Sequence, residues 1–150
     1  MIMPINQESV VLLKNVIEKK GYVHFPSEGF SMYPCIRQND LCTFEKAPVL
    51  KKGDIGLFHT KSGQLIAHRL IKTRYKNEQL HYIFKGDTNL CCDEPVTREQ
   101  VIGKLTAISR KKQKKVYMAA PFDYIWCWLM LFFPFSSRFL KKYINQKIVN

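Results

Sequence analysis

The sequence predicts a mainly β fold, with a helix before the strands and an apolar helical segment after them. Three observations carry that prediction. Apolar residues recur at helical spacing near the start, short β-type runs separated by Gly, Asn, Asp and Pro fill the middle, and a stretch near the end is almost wholly apolar.

Val10, Val11, Leu13, Val16 and Ile17 recur near helical spacing in a helix from about Gln7 to Lys20. Lys14, Glu18, Lys19 and Lys20 lie on the other side, and Gly21 is a stop signal. This pattern reads as a packing helix. Residues 1–20 contain no apolar run of the kind a secretory signal needs, so export by that route is not expected. The β-type runs are Leu41 to Glu45, Ile55 to His59, Leu65 to Lys72, His81 to Lys85 and Val101 to Ile108. A basic knot of Lys111, Lys112, Lys114 and Lys115 follows them and marks a boundary. The expected organisation is therefore an N-terminal helix in residues 1–21, a β domain in 22–110, and a basic linker with an apolar segment in 111–150.

Tyr124 to Phe135 is the apolar stretch, flanked by the lysine knot before it and by Arg138, Lys141 and Lys142 after it. A membrane-crossing helix needs about 20 apolar residues. Extending this run backward meets Asp123 and Pro121 at once, so a monotopic or re-entrant segment fits better. The alternative is a helix buried in the domain or in a partner.

The length of 150 residues allows one domain, two at most, and 46% apolar with 24% charged residues excludes disordered and collagen-like chains. A formal charge of +12 favours an anionic partner, either nucleic acid or an acidic membrane surface. Cys35, Cys42, Cys91, Cys92 and Cys127 form an odd set without a Cys-x-x-Cys pair, which argues against zinc-ribbon and thioredoxin-like readings and for a reducing compartment.

The chemistry-bearing residues fall in four segments: Gly29-Phe-Ser-Met-Tyr-Pro34, Gly53-Asp-Ile-Gly-Leu-Phe58, Ala67-His-Arg-Leu-Ile71, and Phe84-Lys-Gly-Asp-Thr-Asn89 running on to Asp93. Ser31 lies at a turn ahead of a strand, His68 within a β-type run, and Asp87 and Asp93 in a loop after another run. A serine hydroxyl is a weak nucleophile and needs a base within hydrogen-bond reach; imidazole suits the task, and a carboxylate can fix its tautomer. By composition alone such a trio means little, because most chains of this length contain these residue types.

The order and spacing of the four boxes change that weighting. Ser-Met-x-Pro, Gly-Asp-Ile, His-Arg and Gly-Asp-x-Asn with a further Asp resemble, over roughly Phe25 to Ile108, the boxes of type I signal peptidases and their self-processing repressor relatives. The usual bacterial enzyme carries a lysine base where this chain has His68, so the chain resembles the archaeal and endoplasmic-reticulum branch. The resemblance implies a signal-peptidase-like β domain and a serine endopeptidase acting on an extended peptide or preprotein segment with small side chains near the cut. It makes Ser31 the nucleophile, His68 the general base and Asp93 the orienting acid. Asp87 joins the catalytic set as the second box aspartate, either meeting the imidazole or bracing its own turn. Gly29, Met32, Pro34 and Gly86 would support the site, and Gly53 with Asp54 would form a structural turn. No cofactor or metal is implied.

Two departures stand out. Many signal peptidases place a Ser two positions before the nucleophile and a Gly directly before it, where this chain has Gly29 and Phe30. The side-chain oxyanion donor is therefore absent, and one such donor is worth about 10²–10³ in turnover. The family also usually carries an N-terminal membrane helix, whereas the anchor candidate here is C-terminal.

His24, His59 and His81 read as strand or surface histidines rather than ligands, and Cys35 as a small packed hydrophobe. Ala119-Ala120 resembles a signal-peptidase cutting site, but Pro121 opposes cleavage there. A peptide-binding homologue with weak chemistry is the first rival, motivated by Gly29-Phe30. A nucleic-acid binder is the second; the basic residues are spread out and no nucleic-acid motif is present, so no nucleic acid is expected. The expected partners are a peptide substrate, membrane lipid through Tyr124 to Phe135, and a candidate membrane partner subunit. The expected location is the membrane, with the cytoplasm as the alternative: cysteine usage points to the cytoplasmic side and the family's habit points outward.

Overall fold

Asn6 starts the first helix and Gly21 ends it. The Asn6 carboxamide accepts the Ser9 backbone N–H at 2.8 Å, capping α1 (Gln7–Lys20), and Gly21 adopts φ 80° while its N–H bonds back to the Ile17 carbonyl. These are the predicted limits. Structure here refers to a computed structural model that describes residues 2–47, 49–110, 113–117, 121–133 and 136–148. Lys111, Lys112, Ala119, Ala120, Pro134 and Phe135 lie outside the described residues.

Nine strands among the described residues form one antiparallel sheet. They are β1 (Ile2–Pro4), β2 (Tyr22–Pro26), β3 (Leu41–Glu45), β4 (Ile55–His59), β5 (Gln64–Lys76), β6 (Gln79–Lys85), β7 (Val96–Thr97), β8 (Val101–Arg110) and β9 (Gln113–Tyr117). Their order is β2-β3-β8-β4-β5-β6-β7, with β1 added to β5 and β9 to β8. The protein is thus mainly β and antiparallel, with a few helices. All five predicted runs are strands. Strand structure also continues past the basic knot, because Lys114 and Lys115 lie in β9.

Alternation along β5 divides the core between two faces. Leu65 and Ala67 join a cluster with Ile17, Phe44, Ile55, Leu57 and Leu105, while Ile66 and Leu70 join a second with Phe58, Phe84 and Val96. The central strand β4 supplies both clusters, which is why it reads as a continuous apolar run.

Beyond the sheet, the C-terminal region forms two helices, α2 (Pro121–Phe132) and α3 (Ser136–Ile148). Trp126 packs against the first cluster and Met130, one turn on, is buried. From α3, the Ser137 hydroxyl receives the Lys85 ammonium at 3.1 Å and Tyr143 stacks on Tyr33 with ring centroids 6.3 Å apart. Both helices therefore rest on the part of the domain that carries the Ser31 turn.

Candidate active site

Ser31 is set on a tight turn by the residues around it. Gly29 has φ +72°, a conformation L side chains rarely adopt, and so reverses the chain just ahead of the serine. After it, the Tyr33 N–H bonds to the Phe30 carbonyl and the Ile36 N–H to the Met32 carbonyl, and Met32, Cys35 and Ile36 bury their side chains in the first cluster. The turn is thus anchored from below, with Ser31 at its upper side.

The loop after β6 holds the same turn from the other direction. The Thr88 N–H donates to the Ser31 carbonyl at 3.0 Å and the Thr88 hydroxyl to the Phe30 carbonyl at 3.3 Å. Gly86 makes that approach possible, since a Cβ there would stand 2.9 Å from the Ser31 carbonyl oxygen. Further along, the Asp93 N–H bonds back to the Phe84 carbonyl at 2.8 Å, which returns the aspartate to the sheet.

His68 joins the two. Its Nδ1 lies 2.7 Å from Asp93 Oδ2 and its Nε2 lies 3.0 Å from Ser31 Oγ. An ionised carboxylate only accepts, so Nδ1 carries the proton and Nε2 is left to accept from the serine hydroxyl. The imidazole is wholly buried, whereas the Asp93 side chain is 18% exposed. Such a chain can draw a proton from a nucleophile and hold the resulting imidazolium.

Asp87 departs from its expected place. Its carboxylate is not at the imidazole and does not brace its own turn; both oxygens are taken by Arg69, Nε to Oδ1 and Nη2 to Oδ2, each at 2.8 Å. The Trp126 indole N–H adds a third bond to Oδ2 at 3.0 Å, and Arg69 Nη1 donates to the Gly53 carbonyl at 3.0 Å. Arg69 follows His68 on a strand, so it points to the opposite face and takes the second aspartate there. Gly53 and Asp54 do form a structural turn: the Gly53 N–H and Leu70 carbonyl pair, the Leu70 N–H bonds to the Asp54 carbonyl, and Asp54 bridges Lys104 at 2.9 Å.

Arg69 and Thr88 stand inside the quoted boxes without an assigned role, and Trp126 was named only within the apolar stretch. Arg69 carried a signal, because an arginine in the apolar setting of Ala67, Leu70 and Ile71 needs a buried acidic partner. Trp126 carried none, since its contact crosses from one end of the chain to the middle.

The register of β5 changes partner beside the site, where Ala67 and His68 are wholly buried. One edge of β5 pairs with β4 through Leu65–Arg69. On the other edge the β1 register ends at Ile66 and the β6 register begins at Arg69, so the edge at Ala67 and His68 lies between two strand ends. A cleft of about 680 Å³ opens beside β1 on Met3, Leu12, Leu13, Phe25 and Leu65; it does not include Ser31 or His68.

Two buried thiols and two histidines have other surroundings. Cys35 is buried, and burial with the nearby Asp40 charge pushes the Cys42 thiol up to about 12, which keeps it protonated and inert. His24 shares a hydrogen bond with the Thr43 hydroxyl, and His81 with the Gln79 carbonyl. Among the described residues no group of three or more His, Cys, Asp or Glu is placed to hold a metal ion.

No protein-family model and no curated protein matches this chain.

Proposed function

We propose that the protein is a serine endopeptidase of the signal-peptidase type, using Ser31 as nucleophile, His68 as general base and Asp93 as the group that orients and steadies the imidazole. The observation that carries this reading is the unbroken chain from Asp93 through His68 to Ser31, with contacts of 2.7 and 3.0 Å. Three residues far apart in sequence, each singled out by its box, meet in the order the chemistry needs.

In the mechanism, Ser31 Oγ attacks the scissile carbonyl carbon as its proton passes to His68 Nε2. The tetrahedral intermediate collapses, the C–N bond breaks, and the leaving amine takes the proton from Nε2. A water molecule then gives a proton to the same nitrogen and attacks the ester, and Ser31 regains its hydrogen as the carboxylic acid product leaves. The substrate is an extended peptide held by main-chain hydrogen bonds, with its scissile carbonyl at Ser31. Arg69 and Asp87 support the strand beneath.

A second reading, a peptide-binding homologue with weak chemistry, is favoured by one feature: Gly29 offers no hydroxyl where many relatives of the proposed type have one. Cleavage of precursor peptides with small residues near the cut, in detergent micelles, separates the two. Wild type should cut, while Ser31→Ala, His68→Ala and Asp93→Asn remain folded and inactive. Peptide binding without cleavage by wild type, or cleavage by Ser31→Ala at the wild-type rate, would overturn the peptidase reading.

A further inference from the structure

We propose that the outer face of the α2–α3 pair is a docking surface for an anionic phospholipid bilayer, lying on the membrane rather than crossing it. The inner face of α2 is fixed to the domain by Trp126 and Met130, which leaves the opposite stripe outward. Ile125, Trp128 and Phe132, spaced i, i+3 and i+7, occupy that stripe and are 64%, 50% and 60% exposed. Phe133 at 52% and Phe139 at 75% add to it. Soluble proteins rarely present so many large apolar side chains together without a partner.

Charge identifies the partner. The Lys52 ammonium stands 5.8 Å from the centre of the Phe132 ring, and Lys141 and Lys142 are exposed on α3. Apolar aromatic rings bordered by lysines match the boundary between acyl chains and negative headgroups. A second protein would match the apolar part but has no general need of the lysines. The length of α2, about 18 Å, is well short of a hydrocarbon core of about 30 Å. Among the described residues no helix is long and apolar enough to cross a membrane.

The inner contacts give the docking a direction. Trp126 holds Asp87, Ser137 holds Lys85 and Tyr143 stacks on Tyr33, all beside the Ser31 turn, so lipid bound to the outer face brings that turn toward the bilayer. Lipid docking itself does not rest on the peptidase reading, and the Ser31→Ala protein should dock like wild type.

Flotation of the full chain with phosphatidylcholine vesicles, with and without roughly 30% phosphatidylglycerol, tests this. Wild type should float with the anionic vesicles and far less with the neutral ones. Trp128→Glu/Phe132→Glu should lower partitioning at least about tenfold. Lys141→Glu/Lys142→Glu should lower it by about fivefold per charge, as added salt should also do; this pair decides the matter if the first variant fails to fold. Absence of wild-type flotation, or flotation of both variants at the wild-type level, would sink the proposal. So would a change of mass in solution, from oligomer to monomer, caused by Trp128→Glu/Phe132→Glu without any change in vesicle binding, which would assign the face to a second copy of the chain.

Discussion

His68 and Arg69 are consecutive residues of β5, and each takes one aspartate from the loop after β6, yet the two pairs differ in kind. The His68–Asp93 pair faces the Ser31 hydroxyl and keeps a partly open carboxylate, 18% exposed. The Arg69–Asp87 pair is closed, with both side chains 1% exposed and bonds to Gly53 and Trp126. One pair has an acceptor site left over for a reacting group. The other has its carboxylate oxygens occupied by a bidentate arginine and an indole, which suits a fixed support. Residue type did not separate the aspartates; what each is bonded to does.

The largest effects should come from exchanging each aspartate for asparagine. Asp93→Asn is expected to lower kcat/KM about 10⁴-fold, because the imidazole loses its preferred tautomer, while the denaturant midpoint stays near wild type. Asp87→Asn should do the reverse. It leaves a buried guanidinium without its counter-charge and should cost about 3–5 kcal/mol of stability, with kcat/KM in the still-folded fraction much less affected. Urea unfolding and peptide cleavage on the same two proteins would collapse the distinction if both aspartates moved the same quantity.

Replacing both members of the closed pair sharpens the contrast. Arg69→Met with Asp87→Leu removes two buried charges together, so the double variant should lie within about 2 kcal/mol of wild type and be more stable than either single replacement. A deficit equal to the sum of the single losses would mean that the Gly53 and Trp126 bonds, rather than the ion pair, carry the stability.

The division between legible and illegible features follows the range over which each is determined. α1 was legible to the residue because its cap, apolar stripe and terminal glycine all lie within its own sequence. The strands were legible because β-branched and aromatic runs end at local turn residues. Ser31, His68 and Asp93 were marked by their boxes, and the fold brings them together as those boxes imply. The partner of Asp87 was not legible, since it depends on which face of β5 each residue of the His-Arg pair takes. β2 was not among the runs read, because Pro26 closes it after five residues; β1 and β7 are too short to show periodicity, and β9 is hidden by its lysines. The docking of Trp126 on Asp87 joins residues 39 apart in sequence, and no local pattern records it.

That indole bond gives a smaller effect. Trp126→Phe removes the N–H together with one ring of the indole, so its cost adds a packing loss in the first cluster to the about 1.5 kcal/mol of a hydrogen bond to a charged acceptor. Thermal unfolding at neutral pH measures it. In the Asp87→Leu/Arg69→Met background the acceptor is gone and the same change should cost about 1.5 kcal/mol less, which makes the coupling between α2 and the closed pair directly readable. Equal costs in both backgrounds would place the value of Trp126 in its ring packing alone.

The smallest expected effect contrasts two histidines. His68 has a carboxylate beside it, whereas burial, reinforced by the nearby Lys14 charge, pushes the His59 imidazole below its ordinary value of 6.5. The folded state therefore disfavours protonated His59, and the unfolded chain takes up the proton first as pH falls. His59 has no influence on stability above about pH 7.5, where it is neutral in both states, and it lowers stability progressively as pH drops through 6.5 toward the folded value. His59→Gln keeps a polar side chain at the end of β4 and removes that proton uptake. The variant's urea midpoint relative to wild type should then rise between about pH 7.5 and about pH 5, whatever the offset at the upper end. A constant offset across this range would show that His59 titrates alike in the folded and unfolded chain. His59 would then be only a strand-end residue, and Lys14 too well solvated to act on it.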